Sequence, residues 1–250
     1  MDALANFYVN RRDLEPLTEP YGGNMNTKHL SHMRGLFVWI LASSAFIFAP
    51  VQADETQKSV TLVAFGDSLT AGYQLPRVEG FPAQLQVALQ SKGYKVQVIN
   101  AGVSGDTTAG GLERLDWPLQ SSADAIILEL GANDMLRGMD PKIPRNNLDK
   151  MLGILKSKGI DVLLVGMHSI NNLGDDYKKS FEAIYPDLAA KHAVAFYPHF
   201  MEGIRIDPAF LQSDGLHPTA KGIAEIVKRI LPDAEALVKK AAARINASKS

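Results

Sequence analysis

The sequence has no cysteine among its 250 residues. This absence excludes thiol catalysis, disulfide bonds and metal sites with cysteine ligands, but it leaves the compartment open, because an exported bacterial protein can do without disulfides. The sequence also lacks an excess of either charge, since 26 Lys and Arg against 27 Asp and Glu give a net charge of −1. This balance argues against a protein that binds nucleic acid or anionic membranes through bulk electrostatics.

Signatures of cofactor and metal sites are lacking as well. Neither a Gly-x-Gly-x-x-Gly pattern nor a Walker pattern follows the first predicted strand, and no pair of histidines has the spacing of a zinc site. We interpret His192 and His199 as surface or loop residues. The sequence therefore predicts no metal and no cofactor. With 46% hydrophobic and 21% charged residues, the composition is that of a globular protein with a sizeable core.

An apolar stretch near the N-terminus is shorter than a membrane span. It runs from residue 36 to residue 49, whereas spanning takes about 20 apolar residues. Basic residues precede it, and Val51-Gln52-Ala53 follows, with small residues at the −3 and −1 positions. We predict that residues 25–53 are a signal peptide, cleaved after Ala53, and that the protein is exported to the periplasm without stable membrane insertion. The alternative is an uncleaved signal anchor.

Residues 1–24 are polar and aperiodic, unlike the remainder of the chain. They are either a true extension or the result of an overlong start-site assignment, with Met25 as the real start.

Beyond residue 60, short apolar strands alternate with segments of helical period. Strands are predicted at residues 60–65, 95–100, 124–130, 162–167 and 194–197. Helices are predicted from Phe81, around Leu112 with a break at Pro118, around the apolar residues Leu148, Met151, Leu152 and Leu155, at residues 176–191, and from Pro218 onward. This order predicts an α/β fold in which a parallel five-stranded sheet is covered by helices on both faces. One domain over residues 54–250 is the simplest organisation.

A small polar cluster follows the first strand, at Gly66-Asp67-Ser68. Catalytic groups of α/β proteins lie beyond the carboxyl ends of parallel strands, so Ser68 is placed where a reactive serine would be. Because Gly-Asp-Ser also forms ordinary turns, this stretch alone leaves both interpretations open.

Three further loops supply the partners that a serine nucleophile needs. A parallel sheet brings its carboxyl-end loops to one edge, and acyl transfer requires a base, a group that orients the base, and oxyanion donors. His217 would be the base, and Asp214 would hold it in the right tautomer. The oxyanion donors would be the backbone N–H groups of Ser68 and Gly105 and the side-chain amide of Asn133.

These loops carry a family resemblance. Gly66-Asp67-Ser68-Leu69, Ser104-Gly105-Asp106, Gly131-Ala132-Asn133-Asp134 and Asp214-Gly215-Leu216-His217-Pro218 resemble, in order and spacing, the four sequence blocks of the SGNH (GDSL) hydrolases. The resemblance covers residues 60 to about 232. It is strongest to the periplasmic branch of arylesterases and multifunctional thioesterase I/lysophospholipase enzymes. It implies a three-layer α/β/α, flavodoxin-like fold.

The resemblance also implies roles for individual residues. Ser68 would be the nucleophile, Gly105 and Asn133 would complete the oxyanion hole, and Asp214 and His217 would complete the triad. Thr70 stands where the α/β-hydrolase elbow Gly-x-Ser-x-Gly has glycine, which argues against that rival fold. Two departures from the family pattern are Ala132 and the segment 168–174, where similar enzymes have a proline-rich loop. The second departure bears on substrate preference.

Other polar and apolar residues near these loops have two interpretations each. Met135, Leu136 and Met139 are candidates to line an acyl pocket, or they are ordinary loop packing. His168 either contacts substrate or is a hydrogen-bonded structural histidine. The loop aspartates at positions 67, 106 and 134 are interpreted as scaffolding that caps backbone N–H groups.

The sequence therefore predicts a serine esterase that hydrolyses carboxylic esters or thioesters of small molecules through an acyl-enzyme on Ser68. A carbohydrate O-deacetylase would share the same triad and differ in the shape of the pocket. A flavodoxin-like cofactor-binding protein and a signal-anchored binding protein are alternatives from other classes. The second of these leaves the pairing of Asp214 with His217 unexplained.

Overall fold

The computed structural model describes residues 58–120, 122–204 and 207–247. The predicted signal peptide at residues 25–53 and the segment 1–24 lie outside the described residues. Within the part of the chain that is described, no helix is long and apolar enough to cross a membrane.

The centre of the fold is a parallel sheet of five strands, as predicted. The strands are β1 (Val60–Gly66), β2 (Val96–Gly102), β3 (Ala125–Glu129), β4 (Asp161–Val165) and β5 (Ala195–Tyr197), in the order β2-β1-β3-β4-β5. All residues of β3 and β4 are buried, as are all but one of β1. Strands covered on both faces need continuous apolar runs instead of alternation, which is why these strands are the clearest in the sequence.

Helices cover both faces of the sheet. They are α1 (Ser68–Ala71), α2 (Phe81–Ser91), α3 (Thr108–Arg114), α4 (Asp116–Leu119), α5 (Ala132–Leu136), α6 (Lys142–Ser157), α7 (Asp175–Glu182), α8 (Ile184–His192) and α9 (Ala220–Ala247). In one layer α2 packs against α9, and in the other α6 packs against α3 and α8. The three-layer α/β/α prediction is confirmed.

Three helix boundaries differ from the prediction. The segment 176–191 is two helices, α7 and α8, with the junction at Ala183. Pro118 lies inside the short α4, and the break falls before it at Leu115. A proline is tolerated in a first helical turn because the N–H it lacks has no partner there.

The last helix does not begin at Pro218. This residue forms an antiparallel bridge with Leu211, and its carbonyl accepts a hydrogen bond from the Gln212 side chain at 2.8 Å. The helix begins at Ala220, where the Thr219 hydroxyl accepts from the backbone N–H of Gly222. A hydroxyl at this position supplies the N-cap of the helix, and Pro218 instead closes the loop that precedes it.

The strand order places a functional site at the carboxyl end of β1. In the order 2-1-3-4-5 the connections leave β1 and its neighbour β3 toward opposite sides, and ligands bind at this switch point. Gly66 pairs with Gly102 of β2 and with Glu129 of β3. These three residues therefore form the floor under the loop that carries Ser68.

Gly102 allows the loop that carries Ser68 to lie directly on β2. A Cβ atom at this position would be 2.3 Å from the backbone nitrogen of Ala71 and 2.9 Å from the carbonyl oxygen of Asp67. Both are backbone atoms of the turn that carries Ser68, so they cannot move aside without displacing it.

We therefore expect Gly102→Ala to lower the free energy of unfolding by about 1–3 kcal/mol, the usual cost of overpacking. Gly153→Ala is the control, because Gly153 lies inside α6 and an added Cβ meets nothing within 4 Å. That change should raise stability by roughly 0.5–1 kcal/mol through helix propensity. Urea unfolding of both variants checks this, and equal stability of Gly102→Ala and the parent protein would show that the loop is not packed this closely.

Candidate active site

Ser68 is the first residue of α1, immediately beyond the end of β1. Asp67 caps this short helix, since its Oδ1 accepts from the backbone N–H of Leu69 at 3.0 Å. Gly72 ends it with a φ of 80°. The cap and the glycine together confine Ser68 to a single turn at the carboxyl edge of the sheet, where its side chain is half-buried.

The structure brings Ser68, His217 and Asp214 into one chain of hydrogen bonds. His217 Nε2 is 2.8 Å from Ser68 Oγ, and His217 Nδ1 is 2.7 Å from Asp214 Oδ2. Asp214 Oδ1 accepts from the backbone N–H groups of Leu216 and His217 at 2.9 and 3.0 Å. With a carboxylate on Nδ1, the proton of a neutral imidazole resides there, and Nε2 can accept the serine proton.

The same bonds keep Asp214 ionised. The backbone N–H of His217, then its ring, then the N–H of Leu216 lower the pKa of Asp214 to about 2. Hydrogen bonds that favour the charged form of a carboxyl have this effect. Asp214 is therefore a fixed negative charge beside His217 at any pH near neutrality.

Two residues that the sequence did not predict, Gln212 and Tyr73, connect the loop of Asp214 and His217 to the loop that follows Ser68. The side-chain amide of Gln212 donates to the carbonyls of Tyr73 and Pro218, both at 2.8 Å. The ring of Tyr73 lies against the His217 ring with centroids 4.4 Å apart. Neither residue belongs to a motif, so the sequence carried no signal for either.

The three predicted oxyanion donors lie around one cavity. Ser68, Gly105 and Asn133 all line it. Asn133 Nδ2 donates to Asp67 Oδ2 at 3.0 Å, which uses one of the two N–H groups of the amide. Gly105 is exposed and has a φ of 86°, a conformation that glycine adopts without strain.

The cavity has a volume of about 300 Å³ and walls that are mainly apolar. Its apolar lining consists of Leu69, Tyr73, Ala132, Met135, Leu136, Met167, Ile170, Met201 and Leu216. The candidates Met135, Leu136 and His168 are among the lining residues. Met139 is not among the lining residues described; it follows Gly138, which has a φ of 61°, and its carbonyl accepts from the Tyr177 hydroxyl.

One wall of the cavity carries a pair of histidines. The rings of His168 and His199 meet edge to face with centroids 4.0 Å apart, and both residues line the cavity. His168 Nδ1 is 3.1 Å from Glu182 Oε1. His199 was interpreted as a surface or loop residue; it lies in the loop after β5, but its side chain is buried against the site and not at the surface. His192, by contrast, pairs with Asp149 at 2.6 Å, away from the lining.

Among the residues described, no group of three or more His, Cys, Asp or Glu side chains could hold a metal ion. The polar groups of the site are those of acyl transfer: a hydroxyl, an imidazole, a carboxylate and amide donors.

Comparison with known proteins agrees with this geometry. Residues 64–224 match the GDSL-like lipase/acylhydrolase family. The chain belongs to this family. It is an ester-hydrolysing enzyme of the SGNH type.

The similar proteins are esterases and thioesterases. An arylesterase of Vibrio mimicus is 42% identical over 180 residues, which cover 70% of this chain and 90% of that protein. The thioesterase 1/protease 1/lysophospholipase L1 of Escherichia coli K12 is 36% identical over 190 residues, 76% of this chain and 88% of that protein.

Solved structures share the fold. The crystal structure of TesA has a TM-score of 0.68 at 36% identity, over 71% of this chain and 99% of that one. AlinE4, an SGNH-hydrolase family esterase, has a TM-score of 0.61 at 44% identity, over 73% and 97%.

Two carboxyl groups of the hydrolase are buried beneath Ser68. Burial raises the pKa of Asp67 from 3.8 to about 6, against the lowering effect of hydrogen bonds from the Leu69 N–H and from Asn133. Glu129 is fully buried, and the Thr70 hydroxyl donates to its Oε2 at 2.7 Å. Burial and the neighbouring Asp67 raise the pKa of Glu129 well above its ordinary value. Two adjacent buried carboxyls do not ionise together readily, so Glu129 is the member that keeps its proton.

The remaining loop aspartates brace the site in different ways. Asp134 is buried and accepts from the backbone N–H and the hydroxyl of Thr108 at 2.8 and 2.6 Å. Asp106 was expected to cap a backbone N–H, but its carboxylate forms an ion pair with Arg114 at 2.5 Å. A side chain eight positions away could not be identified as its partner from loop composition alone.

The raised pKa of Asp67 predicts a specific effect of pH on stability. The folded state favours the neutral form of Asp67. The contribution of this group to the free energy of unfolding is therefore fully present below pH 3.8 and is lost as the pH rises through about 6. Asp67→Asn stays neutral, and its stability relative to the parent should rise by on the order of 2 kcal/mol between pH 4 and pH 7.

Unfolding free energies at several pH values measure this difference. Asp116→Asn removes an exposed carboxylate and should show no comparable trend. A constant offset for Asp67→Asn across the same range would mean that Asp67 is not destabilised by burial.

Proposed function

We propose that the protein hydrolyses carboxylic esters or thioesters through an acyl-enzyme on Ser68. The chain of hydrogen bonds from Asp214 through His217 to Ser68, at the edge of an apolar cavity, carries this proposal. Membership in the GDSL-like lipase/acylhydrolase family supports it.

Acylation begins with transfer of the Ser68 proton to His217 Nε2 as Ser68 Oγ attacks the carbonyl carbon. The C–O or C–S bond to the leaving group then breaks, and His217 returns the proton to the departing alcohol or thiol. In the second half, His217 takes a proton from water, the resulting hydroxide attacks the acyl carbon, and Ser68 leaves with that proton. The products are a carboxylic acid and the free enzyme.

Each half-reaction passes through a tetrahedral intermediate with a negative oxygen. The backbone N–H groups of Ser68 and Gly105 and the second N–H of the Asn133 amide are the donors for that oxygen. Donors aimed in advance at developing charge are the largest single contribution in many enzymes. The bond from Asn133 to Asp67 holds the amide in place, and this gives the buried carboxylate a role in positioning.

The cavity supports an acyl group as the part of the substrate that enters it. A volume of about 300 Å³ is at the small end of ligand pockets, which favours short to medium acyl chains. Nine apolar side chains exceed what an acetyl group needs, so this lining favours an esterase over a carbohydrate O-deacetylase. The names arylesterase and thioesterase among the relatives accord with this range of substrates.

Hydrolysis of p-nitrophenyl esters from acetate to long acyl chains tests the proposal. Ser68→Ala should lower kcat by about 10⁴-fold or more, because the nucleophile and its base act as a unit. The parent enzyme should prefer medium chains and lose activity on long ones that exceed the cavity. Equal rates for Ser68→Ala and the parent would overturn the nucleophile assignment, and a sharp preference for acetate would favour the deacetylase.

Two asparagine variants extend the same assay. Asn133→Ala should lower kcat by about 100-fold or more through loss of an oxyanion donor. Asn147→Ala is the matched control, because the Asn147 amide donates to the Thr108 hydroxyl at 3.0 Å and lies outside the cavity lining. It should keep near-normal kcat.

We also propose that residues 25–53 direct export and are removed after Ala53, leaving the enzyme in the periplasm. The supporting observation is the basic start, short apolar core and Val-Gln-Ala end of that segment. Intact mass measured on protein from the periplasmic fraction of a bacterial host should correspond to residues 54–250. A mass that retains residues 25–53, recovered with membranes, would favour the signal anchor.

A further inference from the structure

Arg114 makes an unusually complete set of contacts for a residue outside the proposed chemistry. It lies in the last turn of α3, apart from the cavity lining. Its Nε donates to Asp106 Oδ2 at 2.5 Å, its Nη1 to the Ala101 carbonyl at 2.8 Å and its Nη2 to the Gly66 carbonyl at 2.8 Å. All three nitrogens of the guanidinium are therefore used on three separate segments.

The guanidinium also stacks on an aromatic ring and is largely shielded from water. Its central carbon lies 4.1 Å from the centroid of the Phe65 ring. The side chains of Arg114 and Asp106 are only 18% and 17% exposed, so this pair differs from the exposed ion pairs that contribute little. A planar, fully charged fork that stacks on an aromatic ring is specific to arginine, and lysine does not reproduce it.

The three acceptors lie at the two loops that supply oxyanion donors. Gly66 ends β1, two residues before Ser68, and Ala101 lies at the end of β2. Asp106 directly follows Gly105. One rigid group thus joins the strand that presents the Ser68 N–H to the loop that presents the Gly105 N–H.

The loop around Gly105 has few other supports. Val103 N–H donates to the Gly66 carbonyl at 3.0 Å, and Asp106 N–H donates to the Val103 carbonyl at 3.2 Å. The exposed Arg137 donates to the Gly105 carbonyl at 3.0 Å. Gly110 leaves room for the Asp106 carboxylate, since a Cβ there would be 2.9 Å from Asp106 Oδ1. The ion pair with Arg114 is the least exposed of the side-chain contacts to this loop.

We propose that Arg114 is a positioning residue for the oxyanion hole, acting through Asp106 and the Gly66 carbonyl to set the distance between the Ser68 and Gly105 donors. The proposal rests on the proposed function, because it assigns Arg114 a part in the same reaction. Small displacements of a catalytic group reduce the rate strongly. Since the oxyanion forms only after attack, a misplaced donor lowers kcat and leaves substrate binding nearly unchanged.

Steady-state kinetics of Arg114→Gln, Arg114→Lys and Asp106→Asn test the proposal. Arg114→Gln should lower kcat by about 10- to 100-fold with KM within about threefold of the parent value. Arg114→Lys keeps the charge but reaches only one of the three acceptors, so it should recover a minor part of that loss. Asp106→Asn should lower kcat in the same way but less, because the two carbonyl contacts of Arg114 remain.

Arg244 provides a matched control at the other edge of the sheet. Its Nε donates to Asp161 Oδ2 at 3.0 Å and its Nη2 to the Asp124 carbonyl at 2.6 Å, next to the amino ends of β4 and β3. Like Arg114, it bonds a carboxylate and a backbone carbonyl, but at the edge of the sheet opposite the site. Because 43% of the Arg244 side chain is exposed, Arg244→Gln should lower the unfolding temperature by less than Arg114→Gln does, while kcat stays within about twofold of the parent.

The outcomes separate the two proposals. A fall in kcat for Arg114→Gln no larger than for Arg244→Gln, or a rise in KM in its place, would overturn the positioning role while an inactive Ser68→Ala leaves the proposed function intact. A fully active Ser68→Ala would overturn the proposed function itself. If Arg114→Gln does not fold, Arg114→Lys and Asp106→Asn carry the comparison, and normal kcat in both would refute the role.

Discussion

The active site depends on the burial of the Asp67 carboxyl group beneath the turn that carries Ser68. That carboxyl caps α1 through the Leu69 N–H and holds the Asn133 amide, so a single group connects the loop of Ser68 to the proposed oxyanion donor. Burial opposes its ionisation, as the raised pKa of Asp67 shows. The protein retains a carboxyl that disfavours folding when charged because no apolar side chain could accept both hydrogen bonds.

Burial of these polar groups imposes a second constraint, which is tight packing beneath the turn that carries Ser68. A Cβ at Gly66 would meet the Thr70 hydroxyl at 2.2 Å and Glu129 oxygens at 2.5 Å. Glycine at the end of β1 therefore lets two carboxyl groups and a hydroxyl pack under one loop. The carboxyl edge of the sheet concentrates buried polar groups, whereas β3 from Ala125 to Leu128 and β4 from Val162 to Val165 are apolar. The apolar sheet and its covering helices stabilise the fold. The buried polar groups at the carboxyl edge lower that stability and at the same time order the site.

The sequence predicted the fold and the meeting of Ser68, His217 and Asp214 because the strand pattern determines the topology and the residues of the site lie in recognisable motifs. Buried parallel strands produce continuous apolar runs, and their carboxyl-end loops must share an edge. The sequence could not predict the roles of Gln212, Tyr73, His199 or Arg114, because their contacts are set by packing and none of the four belongs to a motif. Pro218 shows the limit in a local case: its fixed φ suits a helix start and a bridge equally, and only the contact with Leu211 decides between them.

The division between motif residues and supporting residues has a physical reason. A group that transfers a proton needs a particular chemistry, so its residue type is recognisable in the chain. A group that positions another needs only the right donors at the right distance, and several residue types or the backbone can supply them. Arg114 is an intermediate case, because bonding two carbonyls and a carboxylate at once requires a guanidinium. Which arginine does so depends on where the strand ends lie in the folded protein, since the Ala101 and Gly66 carbonyls meet only in the sheet.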